Sequence, residues 1–410
     1  MKRRLLPILM TLVLVCALPI WAAFVTSGDV TNPLVSTAWA DPIEGTFTQV
    51  TDETTLKAAV EKGESVILMQ DIEISSRLEV KQSLTLDLNG YVLKMSGTGG
   101  VIRIKKYAEY AVVEVEIKDG MPGRVHTGGY AALPAGGVIT GGKADKGGGI
   151  LLGGGCTLKL TGGCITDCHA TDTGGGGVVL NGDTAILYMS GTARIENCTA
   201  GEMWGANAIF NYGTMYADGG TVDGTVNNQG TIKHSNGVTA VTVFNEAVYN
   251  RAGNSIEAGI YKGTVENTGT ITGGTFCGGV TDDGGTIGDG AYETVKFNSD
   301  NGAQAKEEKV LRGQKVPNPA APTKSGHTFT GWYLGDEKYN FDTPVIAPLT
   351  LTARWEEVPS SGGNYYYHPT TDTKTDDTKG SPKTADPGVA LYGVLSLLSL
   401  TGLTCTTKKR

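Results

Sequence analysis

Short runs of alternating apolar and polar residues, divided by glycine, fill the middle of this chain. Thr157-Leu158-Lys159-Leu160 and Ala185-Ile186-Leu187-Tyr188-Met189 are two of them. Period-two alternation predicts strands with one buried and one wet face. These runs sit inside a repeat. GGGILLGGGCTLKLTGGCITDCHA, from Gly147 to Ala170, is followed by GGGVVLNGDTAILYMSGTARIENCTA, from Gly175 to Ala200. Gly147 matches Gly175, Gly162 matches Gly191, Ile165 matches Ile195 and Cys168 matches Cys198, at an offset of 28 to 30 residues. A step of that size marks one supersecondary unit stacked on the next. Strands turned by glycine, with no helical spacer, predict a parallel β-helix.

The pattern extends in both directions. Asp52 to Val60 predicts a short amphipathic helix, with Leu56, Ala59 and Val60 on one face and acidic residues in the first turn. Strands are predicted at Ser65–Met69, Leu78–Val80, Ser83–Leu88 and Tyr91–Met95, and alternation is strong from Val101 to Ile117. After Trp204 the repeats loosen but continue, since Gly224–Ile232 is echoed by Gly263–Ile271. Asn in such turns tolerates left-handed backbone and can form amide ladders between coils. The segments Ile67–Ile72 and Leu84–Gly90 resemble the opening of the pectate-lyase-like right-handed β-helix superfamily. That resemblance implies a helix covering the exposed edge of the first coil. The β-helix is expected over residues 41–293.

A different pattern starts at Thr294. Val295–Gly302, Gly313–Pro317, Pro322–Tyr333, Tyr339–Val345 and Leu349–Trp355 are closely similar to the internalin B-type (Listeria–Bacteroides) repeat of bacterial surface proteins. Read without the family, residues 294–357 form a small β-rich domain with a core of Phe297, Phe329, Trp332, Tyr333, Phe341, Leu351 and Trp355. The resemblance implies a β-grasp-like module of one sheet and a short helix, serving as a stalk or interaction unit. Residues 358–387 are Ser, Gly, Thr, Asp, Lys and Pro with few apolar side chains, the composition of a disordered linker. The fold class is therefore all-β: a right-handed parallel β-helix, a β-grasp-like repeat, a disordered linker and a C-terminal hydrophobic anchor.

Both ends carry targeting signals. Met1-Lys2-Arg3-Arg4 precedes an apolar run, and Ala38-Trp39-Ala40 supplies a cleavage signature, so residues 1–40 read as a secretory signal peptide. The alternative is retention of that run as a membrane anchor. At the other end Ser381-Pro382-Lys383-Thr384-Ala385 precedes an apolar run from Val389 to Leu403 and a basic Lys408-Lys409-Arg410 tail, within a terminal segment of residues 388–410. Motif, apolar run and basic tail resemble a Gram-positive cell-wall sorting signal. The resemblance implies that sortase cuts between Thr384 and Ala385 and joins Thr384 to peptidoglycan. Ser381 and Ala385 depart from the usual LPxTG wording, and the alternative is a plain transmembrane anchor.

Composition narrows the function classes. Gly is 60 of 410 residues, about twice the ordinary ~7% share, without a G-X-Y period, which excludes collagen. The net charge of −8 and the lack of a basic block in the middle argue against a nucleic-acid partner. Of seven cysteines, Cys16 and Cys405 fall in the terminal segments, leaving the odd set Cys156, Cys164, Cys168, Cys198 and Cys277. Cys168 and Cys198 either bridge neighbouring coils or stack as small apolar side chains. Cys164-x-x-x-Cys168-His169 lacks a second ligand pair for zinc. No metal or cofactor is expected.

Two readings of function follow. The first is a non-catalytic, cell-wall-anchored adhesin-like protein that binds extracellular glycans or cell surfaces, with Trp204, Tyr212 and Tyr216 as candidate glycan contacts. The second is a tethered polysaccharide lyase or glycoside hydrolase, which requires carboxylates such as Asp167, Asp172, Asp183 and Glu196 gathered on one face, beside His169.

Overall fold

The computed structural model describes residues 46–107, 112–172, 174–201, 206–359 and 405. The signal-peptide residues Ala38 and Ala40, the motif Ser381–Ala385 and Trp204 lie outside these described residues.

Helix α1 (Glu53–Glu61) forms where the apolar spacing predicts it. Asp52 accepts from the Thr55 backbone N–H, and Thr55 returns the bond to the Asp52 N–H. Leu56, Ala59 and Val60 are buried under it. Lys57 hydrogen-bonds to Glu53 one turn back and holds its carboxyl down at about 2, against burial; Ser75 bonds add to the effect.

Parallel strands then wind into coils with three faces. The first face stacks strands from Thr48–Val50 to Thr286–Ile287, the second from Ile72–Ile74 to Thr275–Phe276. The third is a nine-stranded sheet running in space from Leu78–Val80 to Val280–Asp282. Two long strands, Ile186–Glu196 and Thr214–Asp223, turn the corner between the first two faces without a break. Register agrees with the repeat: Ile150 pairs with Val178, Thr157 with Ile186 and Ile165 with Ile195. Coils shorten toward the C-terminal end, where Val265 pairs with Val280 only fifteen residues on. The echo between residues 224 and 263 therefore spans two coils, with Val248–Asn250 lying between.

The interior holds ladders of like side chains. Phe244, Tyr261 and Phe276 stack with ring centroids 4.9 and 5.2 Å apart. Asn211, Asn228, Asn250 and Asn267 are wholly buried and bond in series, each amide N–H donating to the next side chain at 2.7–2.8 Å. Asp282 accepts the last bond. Cys168 and Cys198 are separate buried thiols, so the small-side-chain ladder is observed and the bridge is not. The adjacent Cys198 thiol, with burial, pushes the Cys168 thiol well above its ordinary pKa, which removes its nucleophilic form. Cys164 packs outside the coil with Val92 and Val138, away from Cys168.

The repeat is one five-stranded sheet, with Tyr292–Asn298 between Lys306–Leu311 and Leu349–Glu357. The expected short helix is absent from its described residues. Pro317, Pro319 and Pro322 remove amide donors from the 312–326 connection, which stays irregular. Its core is Val295, Phe297, Val310, Val316, Trp332, Val345, Leu351 and Ala353, with Phe329, Phe341 and Trp355 partly buried against it. Tyr333, expected inside, faces outward under Arg354, 4.5 Å from ring centroid to guanidinium. A register shift between Phe329 and Gly331 reverses the alternation, sending Trp332 in and Tyr333 out.

The sheet sits directly on the final coil. Arg312 donates to Glu293 at 2.6 Å, its carbonyl accepts from the Phe276 N–H at 2.7 Å, and Gln314 donates to the Phe276 and Cys277 carbonyls. Tyr292 and Leu311 pack onto the β-helix core. The repeat thus closes the C-terminal edge as α1 closes the N-terminal one, a covering role that no local pattern announces. Cys277 is joined to Cys405, 128 residues further along the chain, so the odd set of five loses one member to the terminal segment.

Candidate functional site

The outer surface of the first face carries the most ordered set of polar side chains. Residues that alternate with the buried Leu158, Leu187, Met215 and Ile232 must point outward. Register places Glu116, Lys159, Tyr188, Tyr216 and Lys233 in one row across successive coils. Tyr188 and Tyr216 stack with centroids 4.3 Å apart and planes 7° apart. Lys233 lies over the far face of the pair, 4.9 Å from the Tyr216 centroid. Lys159 bonds Glu114 at 2.5 Å. Burial first, then the neighbouring Tyr216, push the Tyr188 phenol up to about 12, so it is a neutral hydroxyl donor at physiological pH.

A second row runs beside the first: Thr214, Thr231, Ser255, Thr270 and Thr286. All five are partly or fully exposed. Stacked strands repeat every ~4.8 Å, so the hydroxyls form a flat, regularly spaced column. Thr231 and Ser255 are in hydrogen-bond contact at 3.3 Å. The surface offers donors and acceptors in a line, with ring faces already used in stacking.

Of the aromatic residues singled out from sequence, Tyr212 and Tyr216 lie on different faces. Tyr216 meets Tyr188 on the first face. Tyr212 follows a third-face strand and packs on Phe210, centroids 4.7 Å apart, with Val179 and Ala206. Trp204 lies outside the described residues. Tyr188 is the partner that sequence reasoning missed; the 28-residue match of Tyr216 to Tyr188 was its signal.

The acidic candidates are only partly gathered. Asp167 has φ 52° in the turn after Cys164–Thr166, and Asn197 repeats that conformation one coil on. Asp172 follows His169–Ala170, while Asp183 sits in the turn before Ile186. Glu196 lies 3.8 Å from Arg194. His169 Nδ1 contacts the Thr199 hydroxyl at 2.7 Å. Glu196 is the register partner of Thr166 and so lies beside Asp167 at one corner, whereas Asp183 lies at another, ahead of the first face. Among the described residues no group of three or more His, Cys, Asp or Glu side chains is placed to hold a metal ion, and no described helix is long and apolar enough to cross a membrane.

Residues 294–354 match the model of the Listeria-Bacteroides repeat domain. Two proteins of Evansella cellulosilytica are similar over a short stretch. One, provisionally named a Gly-rich membrane protein, is 37% identical over 67 residues, covering 15% of this chain and 8% of the relative. The other, provisionally named a membrane protein, is 36% identical over 67 residues, covering 15% and 10%. The matched stretch is thus a tenth or less of either relative. The chain thus combines an all-β body of parallel coils with a Listeria-Bacteroides repeat.

Proposed function

We propose that the protein is a non-catalytic, adhesin-like display scaffold that is attached to the wall of a Gram-positive cell and binds extracellular glycans along the first face. The observation that carries this reading is the pair of outward rows, phenol and ammonium beside hydroxyl, repeated at strand spacing. Polyhydroxylated chains match such a surface, because each sugar hydroxyl both donates and accepts. The separation of Asp183 from Asp167 and Glu196 supports binding over hydrolysis. The membrane-protein names of the two relatives and the repeat family support a surface location.

In this reading sortase recognises Ser381–Ala385 and transfers Thr384 to peptidoglycan, while the run from Val389 to Leu403 spans the membrane. Cys405 then faces the reducing cytoplasm. The Cys277–Cys405 bond and a spanning run exclude one another, so this reading requires the two thiols to be apart in the inserted chain.

The test removes the hydroxyls and keeps the rings. Tyr188→Phe/Tyr216→Phe in the full chain is expected to weaken binding to a neutral glycan from an array by about tenfold, since two hydrogen bonds of ~0.5–1.5 kcal/mol each are lost. Thermal stability should stay within a few degrees of the parent. A double variant that binds as tightly as the parent removes the first face from the account.

A further inference from the structure

The third face carries a feature of opposite character, independent of the glycan surface. A cavity of about 210 Å³ opens between successive coils, lined by Arg103, Ile104, Lys105, Lys106, Leu151, Gly153, Gly154 and Asn181. We propose that this cavity binds a phosphate or sulfate ester of an acidic extracellular polymer.

The sequence sets up the charge. Arg103 points outward because Ile102 and Ile104 are drawn into the core at 1% and 0% exposure. Lys105 and Lys106 follow where the strand ends and the chain turns. Lys106 lies back across the next coil: a Cβ on Gly155 would meet its Cδ at 3.1 Å. Lys81, one coil earlier, and Lys105 both sit over the Tyr107 ring, at 5.5 and 5.0 Å.

Four cations thus crowd one patch of a chain whose net charge is −8. No carboxylate lines the cavity. Glu79 is the register partner of Arg103 on the neighbouring strand, but among the described residues no ion pair joins a carboxylate to Arg103, Lys105 or Lys106. Glu109 belongs to the adjoining segment outside the described residues. Like charges so placed repel, by ~0.5 kcal/mol per pair at 8 Å in water and more where solvent is excluded. An oxyanion seated among them relieves that repulsion and accepts from guanidinium, ammonium and the Asn181 amide together. With water taking about 30 Å³ each, the cavity has room for such a group and several waters.

Because a cavity of this volume takes one group rather than a chain, a repeating polymer gains by presenting many anions near one site. Phosphodiester polymers of bacterial walls and sulfated animal glycans share this chemistry. The experiment separates them: the full chain is titrated with a glycerol-phosphate oligomer, with a sulfated glycosaminoglycan oligosaccharide and with neutral dextran. Binding to at least one polyanion, weakening as salt rises, is expected. Arg103→Gln/Lys105→Gln/Lys106→Gln should weaken it tenfold or more, with the melting temperature preserved because all three side chains are solvent-facing. Whichever polymer binds identifies the source. Tyr188→Phe/Tyr216→Phe should leave polyanion binding unchanged, so failure of the first-face reading is distinguishable from failure here. Unaltered polyanion affinity in the triple variant, or no binding beyond that of dextran, overturns the proposal. Should the triple variant unfold, a salt titration of the parent protein decides: affinity that falls as salt rises supports the site, and affinity insensitive to salt rejects it.

Discussion

Asn228→Ala lowers stability by about 3 kcal/mol or more and loosens the C-terminal coils before the N-terminal ones. The Asn228 side chain has no exposure to solvent. It accepts from the Asn211 amide at 2.7 Å and donates to Asn250 at 2.8 Å, with further donation to the Gly230 and Ser255 carbonyls. Alanine leaves the Asn211 N–H and the Asn250 carbonyl oxygen without these partners, and each such buried group costs ~1–3 kcal/mol. The small cavity left behind adds to this. Stability in a stack of coils is largely a sum over neighbours, so damage stays local. Amide hydrogen exchange should therefore accelerate between Ile209 and Asp282 while strands between Leu78 and Ile117 keep their protection. Uniform exchange with no change at Ile209–Asp282 would show that the ladder adds nothing. An Asn228→Ala/Asn250→Ala double variant should lose less than the two single losses combined, because one bond is shared.

Gly177→Val is expected to cost at least about 3 kcal/mol, the upper end of overpacking effects. Even a single Cβ at Gly177 would lie 2.6 Å from Ile195 Cγ2 and 2.8 Å from the Ala208 carbonyl oxygen. Ile195 is a wholly buried side chain, and the Ala208 carbonyl is tied to the Gly177 and Val178 amides. Neither can retreat without opening the ladder between coils. Gly149, the equivalent position one coil earlier, meets the Gly177 carbonyl and Ile165 in the same way. Gly123→Ala is the matched control, with nothing within 4 Å of its added carbon, and should shift stability by less than ~0.5 kcal/mol. Chemical denaturation of the two variants decides the point; equal midpoints would mean that these glycines are not spacers.

Those glycines explain why so much of the fold was legible. The offset between Ile165 and Ile195 is the pairing register itself, because each coil must return its apolar residues to the same interior position. Helix α1 was equally readable, since Asp52, Thr55 and the Leu56/Ala59/Val60 stripe are local signals. The Asn ladder was only half visible. Asn228 and Asn267 lie in echoing segments, but Asn211, Asn250 and Asp282 occupy coils of unequal length, and a fixed period passes over them. The repeat's core was legible except at Tyr333, where a bulge at Gly331 changed the face. Its seat on the last coil depends on Arg312 and Gln314 reaching residues 274–277, contacts between distant segments that no local pattern encodes.

The surface was harder to read than the core. Alternation fixes that Tyr216 points out, yet its partner depends on which coil lies beside it. Proximity along the chain groups it with Trp204 and Tyr212, whereas stacking pairs it with Tyr188 from the preceding coil. The cationic cavity is hidden in the sequence for a related reason: Arg103, Lys105 and Lys106 gain meaning only when Asn181 and the glycines of the next coils close around them.

Glycan binding without cleavage is the property on which the proposed function stands. It is tested most directly by incubating the full chain with an array of neutral and acidic polysaccharides, measuring bound protein and released ends on the same samples. Saturable retention on at least one glycan is expected, with no new reducing ends and no unsaturated uronides. Release of either product, abolished by Asp167→Asn, Asp172→Asn or Asp183→Asn, would contradict it and make the protein an enzyme.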